Sequence, residues 1–246
     1  MAEEKLAVLI DADNVSHANV REMIEEISKY GTPTIKRIYA DWTKPSLSGW
    51  KNVLLENAIT PIQQYSYTTG KNSSDSALII DAMDILYSEK VNGFCIVSSD
   101  SDFTRLATRL REAGMTVIGL GEKKTPQPFI SACNKFIYLE ILKSKAPEAR
   151  VVKSAVKPKT KDEPLNKIDQ GTIQLMIESV SDLADESGWT FLGNLGNFIL
   201  KKKPDFDPRN YGFAKLLPLI KALKKFEIDE RESGQGNTRH IYLRLK

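Results

Sequence analysis

Short apolar runs alternate with helix-like segments over the first 143 residues of the chain. The apolar runs predict six buried strands, at residues 5–10, 34–40, 58–63, 93–99, 115–120 and 135–140. Polar capping residues and helical periodicity predict helices at residues 16–29, 75–87 and 103–113. Strands apolar on both faces that alternate with helices are typical of a parallel sheet covered on each side. We therefore predict an α/β domain over residues 1–143, with a Rossmann-like parallel sheet flanked by helices.

A basic segment follows the predicted α/β domain. Residues 144–168 carry seven Lys/Arg against three Asp/Glu, contain three prolines and show no periodicity, which predicts a flexible linker. Residues 169–246 predict helices at 169–186, 191–202 and 213–225, and then a hairpin of strands at 226–232 and 239–245. Helices followed by a hairpin predict a small winged-helix domain at 169–246.

Composition narrows the cellular setting. Hydrophobic residues make up 41% and charged residues 27% of the chain, as in ordinary globular proteins, so wholesale disorder is excluded. No window approaches the roughly 18 apolar residues of a membrane helix. Met1 to Lys5 lead directly into the first strand without the pattern of a signal peptide, so we expect a cytoplasmic protein without membrane association. The oligomeric state is left open.

Histidine and cysteine are too scarce for several common catalytic sites. The chain has only His17 and His240, which argues against a zinc site of His and Cys and against a Ser/His/Asp triad. Cys95 and Cys133 lie far apart in apolar surroundings and are expected to be buried thiols. Any catalyst in this chain should therefore depend on carboxylates.

Acidic residues follow two of the predicted strands. Asp11 and Asp13 come directly after LAVLI, Asp100 and Asp102 follow GFCIVSS, and Asp75 starts a predicted helix. In an open α/β sheet, ligands bind in a crevice at the carboxyl ends of the strands. The sequence therefore predicts that these carboxylates meet at one edge of the sheet.

Clustered carboxylates repel one another unless protons or cations compensate them. A hard divalent cation, Mg²⁺ or Mn²⁺, takes oxygen ligands and can activate a bound water for attack on phosphorus. We expect Asp11 and Asp100 to be direct ligands, and Asp75 and Asp102 to act through water or to position the nucleophile. Asn14 is expected to hydrogen-bond a ligand or the scissile phosphate.

Several of these acids also have a structural interpretation. Asp102 is a candidate cap for the helix at 103, and Asp13 a turn residue. Asp81 and Asp84 fit a solvated helix face. Asp81 is also a secondary site candidate, because it lies six residues, roughly 9 Å, beyond Asp75 along the helix.

Residues 4–142 resemble the NYN family of PIN-like nuclease domains. The resemblance rests on LIDADNV with Asp11 and Asn14, YADW at 39–42, KNSSDSALIIDAMD at 71–84 and IVSSDSDFTRLATRLREAGMTVIGLG at 96–121. It implies a PIN-like sheet and Mg²⁺- or Mn²⁺-dependent RNA cleavage, with catalytic roles for Asp11, Asn14, Asp75, Asp100 and Asp102.

Two further positions are interpreted through the same resemblance. Lys71 matches a basic residue ahead of the helix acid and is a candidate phosphate contact. Asn134 stands where relatives often carry Asp. If that Asp assists metal binding, we expect reduced activity here.

Residues 169–246 resemble the OST-HTH or LOTUS domain. The match rests on DESGWTFLGNLGNFILKKKPDFDPRNYGFAKLLPLIKAL, above all on Gly188-Trp189 and FDPRNYGFAKL. The resemblance implies RNA binding or docking of a protein partner. Lys201, Lys202, Lys203 and Arg209 form a candidate phosphate-binding patch, with a solvated charged face as the alternative.

Other residues point to RNA as the substrate. Arg105, Lys123 and Lys124 lie near predicted strand ends or helix starts and are candidate phosphate contacts. Trp42, Trp50, Tyr65 and Tyr67 are either packing residues or stacking surfaces for unpaired bases. We predict a metal-dependent ribonuclease acting on single-stranded RNA.

Two other functions remain open. A non-catalytic RNA-binding or adaptor protein would bind RNA without cutting it. LIDADNV also resembles the D-x-D opening of haloacid-dehalogenase-like phosphatases, which would make Asp11 and Asp13 the reacting groups, but no convincing downstream lysine motif accompanies it.

Overall fold

The computed structural model describes residues 4–65, 73–142, 165–232 and 239–246. The chain divides into two compact units, Met1–Ala149 and Arg150–Lys246. Of the sequence-based candidates, Lys71 and Tyr67 lie outside the described residues, as does most of the predicted linker. The described end of that predicted linker belongs to the second unit: the Asn166 N–H donates to the Asn210 carbonyl (2.7 Å), and Ile168 packs against its core.

The first unit contains a six-stranded parallel sheet in the order β3-β2-β1-β4-β5-β6. All six predicted strands are confirmed, with ends shifted by a few residues. Their bounds are Lys5–Asp11 (β1), Thr32–Ala40 (β2), Thr60–Gln63 (β3), Gly93–Val97 (β4), Thr116–Gly121 (β5) and Lys135–Tyr138 (β6).

The helices between these strands are Val20–Ile27 (α1), Trp50–Glu56 (α2), Ser73–Tyr87 (α3), Thr104–Glu112 (α4) and Gln127–Ala132 (α5). The three predicted helices are present, although the first is shorter because a separate 3-10 turn, His17–Asn19, precedes it. The sequence did not predict α2 and α5. With seven and six residues, they are too short to show a clear helical period.

The two faces of β1 pack against different helices, and this sets the side of the sheet on which Asp11 lies. Successive side chains of a strand point to opposite faces. Leu6, Val8 and Ile10 belong to a core that also contains residues of α1 and α2. Ala7 and Leu9 point to the other face, where α3 lies against β1 and β2. Asp11 has the same parity as Ala7 and Leu9, so its side chain lies on the α3 side of the sheet.

The second unit consists of helices followed by a small antiparallel sheet. Its elements are Gln170–Leu183 (α6), Thr190–Phe191 (β7), Leu192–Lys202 (α7), Leu216–Leu223 (α8), Phe226–Glu232 (β8) and Arg239–Leu245 (β9), and the sheet order is β7-β9-β8. This matches the predicted succession of helices and hairpin. Gly188 adopts a positive φ of 81° in the turn before β7, a conformation that glycine tolerates best, which explains the Gly-Trp pair.

The thiols are buried and unpaired, as predicted. Cys95 and Cys133 are free cysteines inside the first unit. Burial raises the pKa of both thiols, to about 12 for Cys133. These cysteines therefore serve as packing residues.

Within the described segments, no helix is both long enough and apolar enough to cross a membrane.

Candidate active site

The strand order creates a crevice between β1 and β4. The chain builds β1, β2 and β3 in one direction and then returns through α3 to form β4 on the other side of β1. Connections that leave in opposite directions from two neighbouring strands open a crevice at their carboxyl ends, where such sheets bind ligands. Asp11 ends β1, and Ser98 to Asp102 follow β4, so the predicted carboxylates lie at this crevice.

Asp11 is a buried carboxylate held by neighbours on both strands. It accepts hydrogen bonds from Asn14 Nδ2 (2.6 Å), Ser98 Oγ (2.9 Å) and the Asp13 N–H (3.1 Å). Burial raises the pKa of Asp11, and the hydrogen bonds from Asn14 and Ser98 oppose this shift. The pairing of Asp11 with Asn14 is the arrangement expected from LIDADNV.

Ser98 connects the two strand ends. Its hydroxyl donates to Asp11 Oδ2 and accepts from the Asp100 N–H (3.0 Å). The Asp100 carboxylate in turn accepts from the Asp102 N–H (2.9 Å) and so caps the 3-10 turn Ser101–Phe103 ahead of α4. The capping side chain is therefore Asp100 and not Asp102, whose carboxylate is exposed.

Three carboxylates converge in front of Asp11. Asp75, in the first turn of α3, Asp100 and Asp102 each place one oxygen within 4.8 Å of the others. Asp11, expected to be a direct ligand, is not part of this group. Its carboxylate is more deeply buried than that of Asp75, and both of its oxygens accept hydrogen bonds, so its role as a ligand stays a prediction.

The acids of this group repel one another at Asp75. Burial, and after it the negative charges of Asp11, Asp100, Asp102 and Asp13, raise the pKa of Asp75 to about 6. A divalent cation would remove this repulsion, and carboxylate oxygens are the ligands that Mg²⁺ and Mn²⁺ prefer. The donor set therefore fits a hard divalent cation.

Asp13 and Asp81, two other acids named from the sequence, lie outside the group. Asp13 is exposed, accepts from Ser74 Oγ (3.2 Å) and lies 3.7 Å from Lys44 Nζ. Asp81 does not face the crevice, because it pairs with Arg37 and accepts from the Tyr39 hydroxyl.

Asn134 lies at the opposite edge of the sheet. Its Oδ1 accepts from the Val117 N–H (2.8 Å), and it precedes β6, so it belongs to the amino ends of the strands. The acidic group belongs to the carboxyl ends. The departure from Asp at position 134 is thus remote from the carboxylates.

Cationic side chains lie on the rim of the crevice. Arg105 is exposed on the first turn of α4, directly after the acidic turn. Lys123 and Lys124 are exposed in the loop after β5, with Lys124 paired to Glu122 (2.8 Å).

Sequence reasoning did not assign Ser98 or Asp41 to the site. Ser98 could have been suspected from its position two residues before Asp100 at a strand end. Asp41 follows β2, is buried, and accepts from Gln63 Nε2 (3.2 Å) and Thr43 Oγ1 (2.6 Å). Its role is to fix the loop after β2 to β3, and YADW was the signal for it.

The aromatic candidates of the first unit have different environments. Trp50 is 2% exposed and is a core residue, whereas Tyr65 is 57% exposed. Trp42 is partly buried and donates its Nε1 hydrogen to the Ile62 carbonyl (3.0 Å).

The basic residues of the second unit divide into two kinds. Lys201 and Lys202 are exposed at the end of α7, and Lys202 pairs with Asp182 (2.7 Å). Lys203 is partly buried and donates to Thr172 Oγ1 and the Tyr211 hydroxyl (both 3.2 Å).

Arg209 forms a two-contact pair with Asp207, through Nε (3.0 Å) and Nη2 (2.7 Å). Lys203 and Arg209 thus stabilise the domain fold, so the exposed cations of the predicted patch are Lys201 and Lys202.

Comparison with known proteins identifies two domains in the order expected from the sequence. Residues 5–140 match the NYN domain, and residues 163–238 match the OST-HTH/LOTUS domain. No curated protein matches the chain.

Two solved structures resemble parts of the chain. The solution NMR structure of an uncharacterized protein from Nitrosomonas europaea has 30% sequence identity, covers 40% of this chain and 92% of its own length, and has a TM-score of 0.31. The crystal structure of a protein of unknown function from Vibrio parahaemolyticus has 20% identity, covers 55% of this chain and 91% of its own length, and has a TM-score of 0.46.

Because the NYN match extends over more than half of the residues, the chain belongs to the NYN family and carries an OST-HTH/LOTUS domain after its NYN domain.

Proposed function

We propose that the protein is a metal-dependent ribonuclease that cleaves single-stranded RNA at the crevice between β1 and β4. Membership in a family of PIN-like nucleases, together with a LOTUS domain, supports a role in RNA cleavage or RNA binding. The observation that favours cleavage is the convergence of Asp75, Asp100 and Asp102 within 4.8 Å.

The three carboxylates would hold Mg²⁺ or Mn²⁺ at the crevice. When bound, such a cation lowers the pKa of a coordinated water and neutralises charge on the phosphate oxygens. Asp11 adds negative charge behind the group and keeps Ser98 and Asn14 in place through its hydrogen bonds. Asn14 has a second amide hydrogen available in principle for a phosphate oxygen.

The rim cations would guide the RNA backbone. Arg105, Lys123 and Lys124 are exposed around the carboxyl edge and would contact phosphates, and Lys71 is retained as a candidate on the strength of the family resemblance. Lys201 and Lys202 would add sequence-independent affinity from the LOTUS domain. That domain would select RNA, with docking of a protein partner as the alternative role.

The test is cleavage of an end-labelled single-stranded RNA by the full-length protein with Mg²⁺, with Mn²⁺ and with chelator. Wild type should give metal-dependent products, and Asp100→Asn should lose at least about 100-fold in rate because one ligand charge is removed. Asp84→Asn, an exposed acid on α3, is the matched control and should cut normally.

Two outcomes would contradict the proposal. Intact RNA together with retained binding would identify a non-catalytic RNA-binding protein. Loss of activity in Asp13→Asn combined with phosphatase activity in wild type would instead support haloacid-dehalogenase-like chemistry.

A further inference from the structure

A cleft lies by the loop after β2, on the face of the sheet that α2 covers. Its volume is about 570 Å³, and its walls come from the loop after β2, from α2 and from β3. The walls are mainly apolar and are formed by Trp42, Pro45, Leu47, Leu54 and Pro61. This volume lies in the range of roughly 300–1,000 Å³ that small-molecule sites occupy.

The aromatic wall of the cleft is held in place before any ligand arrives. Trp42 donates its Nε1 hydrogen to the Ile62 carbonyl and its backbone N–H to Gln63 Oε1, both at 3.0 Å. Gln63 is itself fixed by Asp41 (3.2 Å). The indole is therefore anchored to β3, and only part of it packs against the core.

Two lysines line the cleft, and one of them reaches the turn after β1. Lys44 and Lys51 both line the cleft and are exposed. Lys44 Nζ lies 3.7 Å from Asp13 Oδ1, and Asp13 is two residues beyond Asp11 in the turn that follows β1. Lys44 thus connects the cleft to the turn that carries Asp13, and Lys51 adds a second positive charge to the cleft wall.

We propose that this cleft binds one unpaired nucleobase of an RNA strand that also reaches the acidic crevice. The inference rests on the proposed function, and it names the part of the substrate that the site holds. A fixed indole offers a stacking surface to any base, and the two lysines complement the adjoining phosphates. A duplex cannot present an unstacked base to such a cleft, so the cleft selects single strands.

Photocrosslinking of the full-length protein tests the proposal without requiring cleavage. A pentanucleotide containing 4-thiouridine is bound in chelator, irradiated, and its attachment site is mapped by mass spectrometry. We expect crosslinks in the segment Trp42–Lys51 in wild type. Unlabelled RNA should compete for them, whereas an abasic oligomer with the same number of phosphates should compete about tenfold less well, as expected for the loss of a stacked base.

Substitutions of Trp42 and Lys51 test the contribution of stacking separately from the contribution of charge. Trp42→Ala and Lys51→Glu should each lower crosslinking at limiting RNA about tenfold, and Trp42→Phe should retain most of it. Lys90→Glu is the matched charge control, because Lys90 is exposed and precedes β4 at the opposite edge of the sheet. If Trp42→Ala lowers the melting temperature, its reduced crosslinking no longer isolates stacking. The crosslinking of the surface variant Lys51→Glu then tests the proposal.

The results distinguish this proposal from the one on which it rests. Crosslinks elsewhere in the NYN domain, or equal competition by the abasic oligomer, overturn the cleft assignment even if metal-dependent cleavage is present. The expected crosslinks in a protein that does not cut RNA support the cleft and contradict the nuclease. If the cleft instead serves a protein partner, the abasic oligomer should compete as well as intact RNA, and this result would overturn the proposal.

Discussion

Replacing Asp75 with asparagine should stabilise the metal-free protein at neutral pH. The pKa of Asp75 is raised from 3.8 to about 6, mainly by burial and then by the neighbouring acids. The folded protein therefore binds this proton more tightly than the unfolded chain does. The folded state therefore loses stability as the pH rises from 3.8 towards 6, and the loss persists above that range.

The size of the effect can be bounded from the same shift. At about 1.4 kcal/mol per pKa unit, the ionised Asp75 costs at most about 3 kcal/mol of folding free energy. Solvent screening reduces this value, and the variant loses a favourable charge near the start of α3. We expect a net gain of about 1–2 kcal/mol, which corresponds to a rise of roughly 3–6 °C in the melting temperature of a domain of this size.

The measurement is thermal unfolding of wild type and Asp75→Asn in chelator across a pH series. The difference between the two proteins should be largest at about pH 8 and shrink towards about pH 4, where the wild-type carboxyl is protonated in the folded state. Asp84→Asn, from an exposed position of the same helix, should show no such pH-dependent gain. An Asp75→Asn protein that is less stable at about pH 8, or equally stabilised at every pH, would refute the reasoning.

Four further outcomes are expected. Mn²⁺ in about 100-fold excess over its dissociation constant should stabilise wild type by about 2.7 kcal/mol in thermal unfolding, and Asp100→Asn should lose most of this gain. Asp11→Ala should lower the free energy of denaturant unfolding by about 2–4 kcal/mol, because Ser98 and other donors lose their acceptor; an unchanged midpoint would contradict this. Asp81→Asn should lower stability by about 1–2 kcal/mol and leave the rate of RNA cleavage within about threefold, since Asp81 is a structural ion-pair partner. Asn134→Asp should leave the cleavage rate unchanged, and an increase would show that position 134 acts on the site from the far edge.

Local patterns in the sequence predicted most of the fold and the residues to inspect. Buried parallel strands need apolar side chains on both faces, so each of the six strands was visible as a short apolar run. The acids were found because a parallel sheet brings strand ends together, and Asp11 and Asp100 each follow a strand. The short helices α2 and α5 left no comparable period.

The roles of individual carboxylates could not be predicted from the same patterns. Asp81 has the helical position of a site residue, yet Arg37 and Tyr39 of β2 bind it. Asp11 was expected to be a direct ligand, and the structure adds that the Ser98 hydroxyl, from another strand end, donates to its carboxylate. The partners of Asp81 and the Ser98 partner of Asp11 come from elements that the sequence did not connect to these acids.

The sequence by itself therefore determined the two-domain succession, the parallel sheet and the edge at which its acids collect, because these depend on periodicity and on strand ends. Only the tertiary structure decided that Asp75, Asp100 and Asp102 form the group, and that the loop after β2 builds a cleft lined by Trp42. The physical reason is that strand order and register choose which side chains neutralise, bury or repel one another across tens of residues of chain.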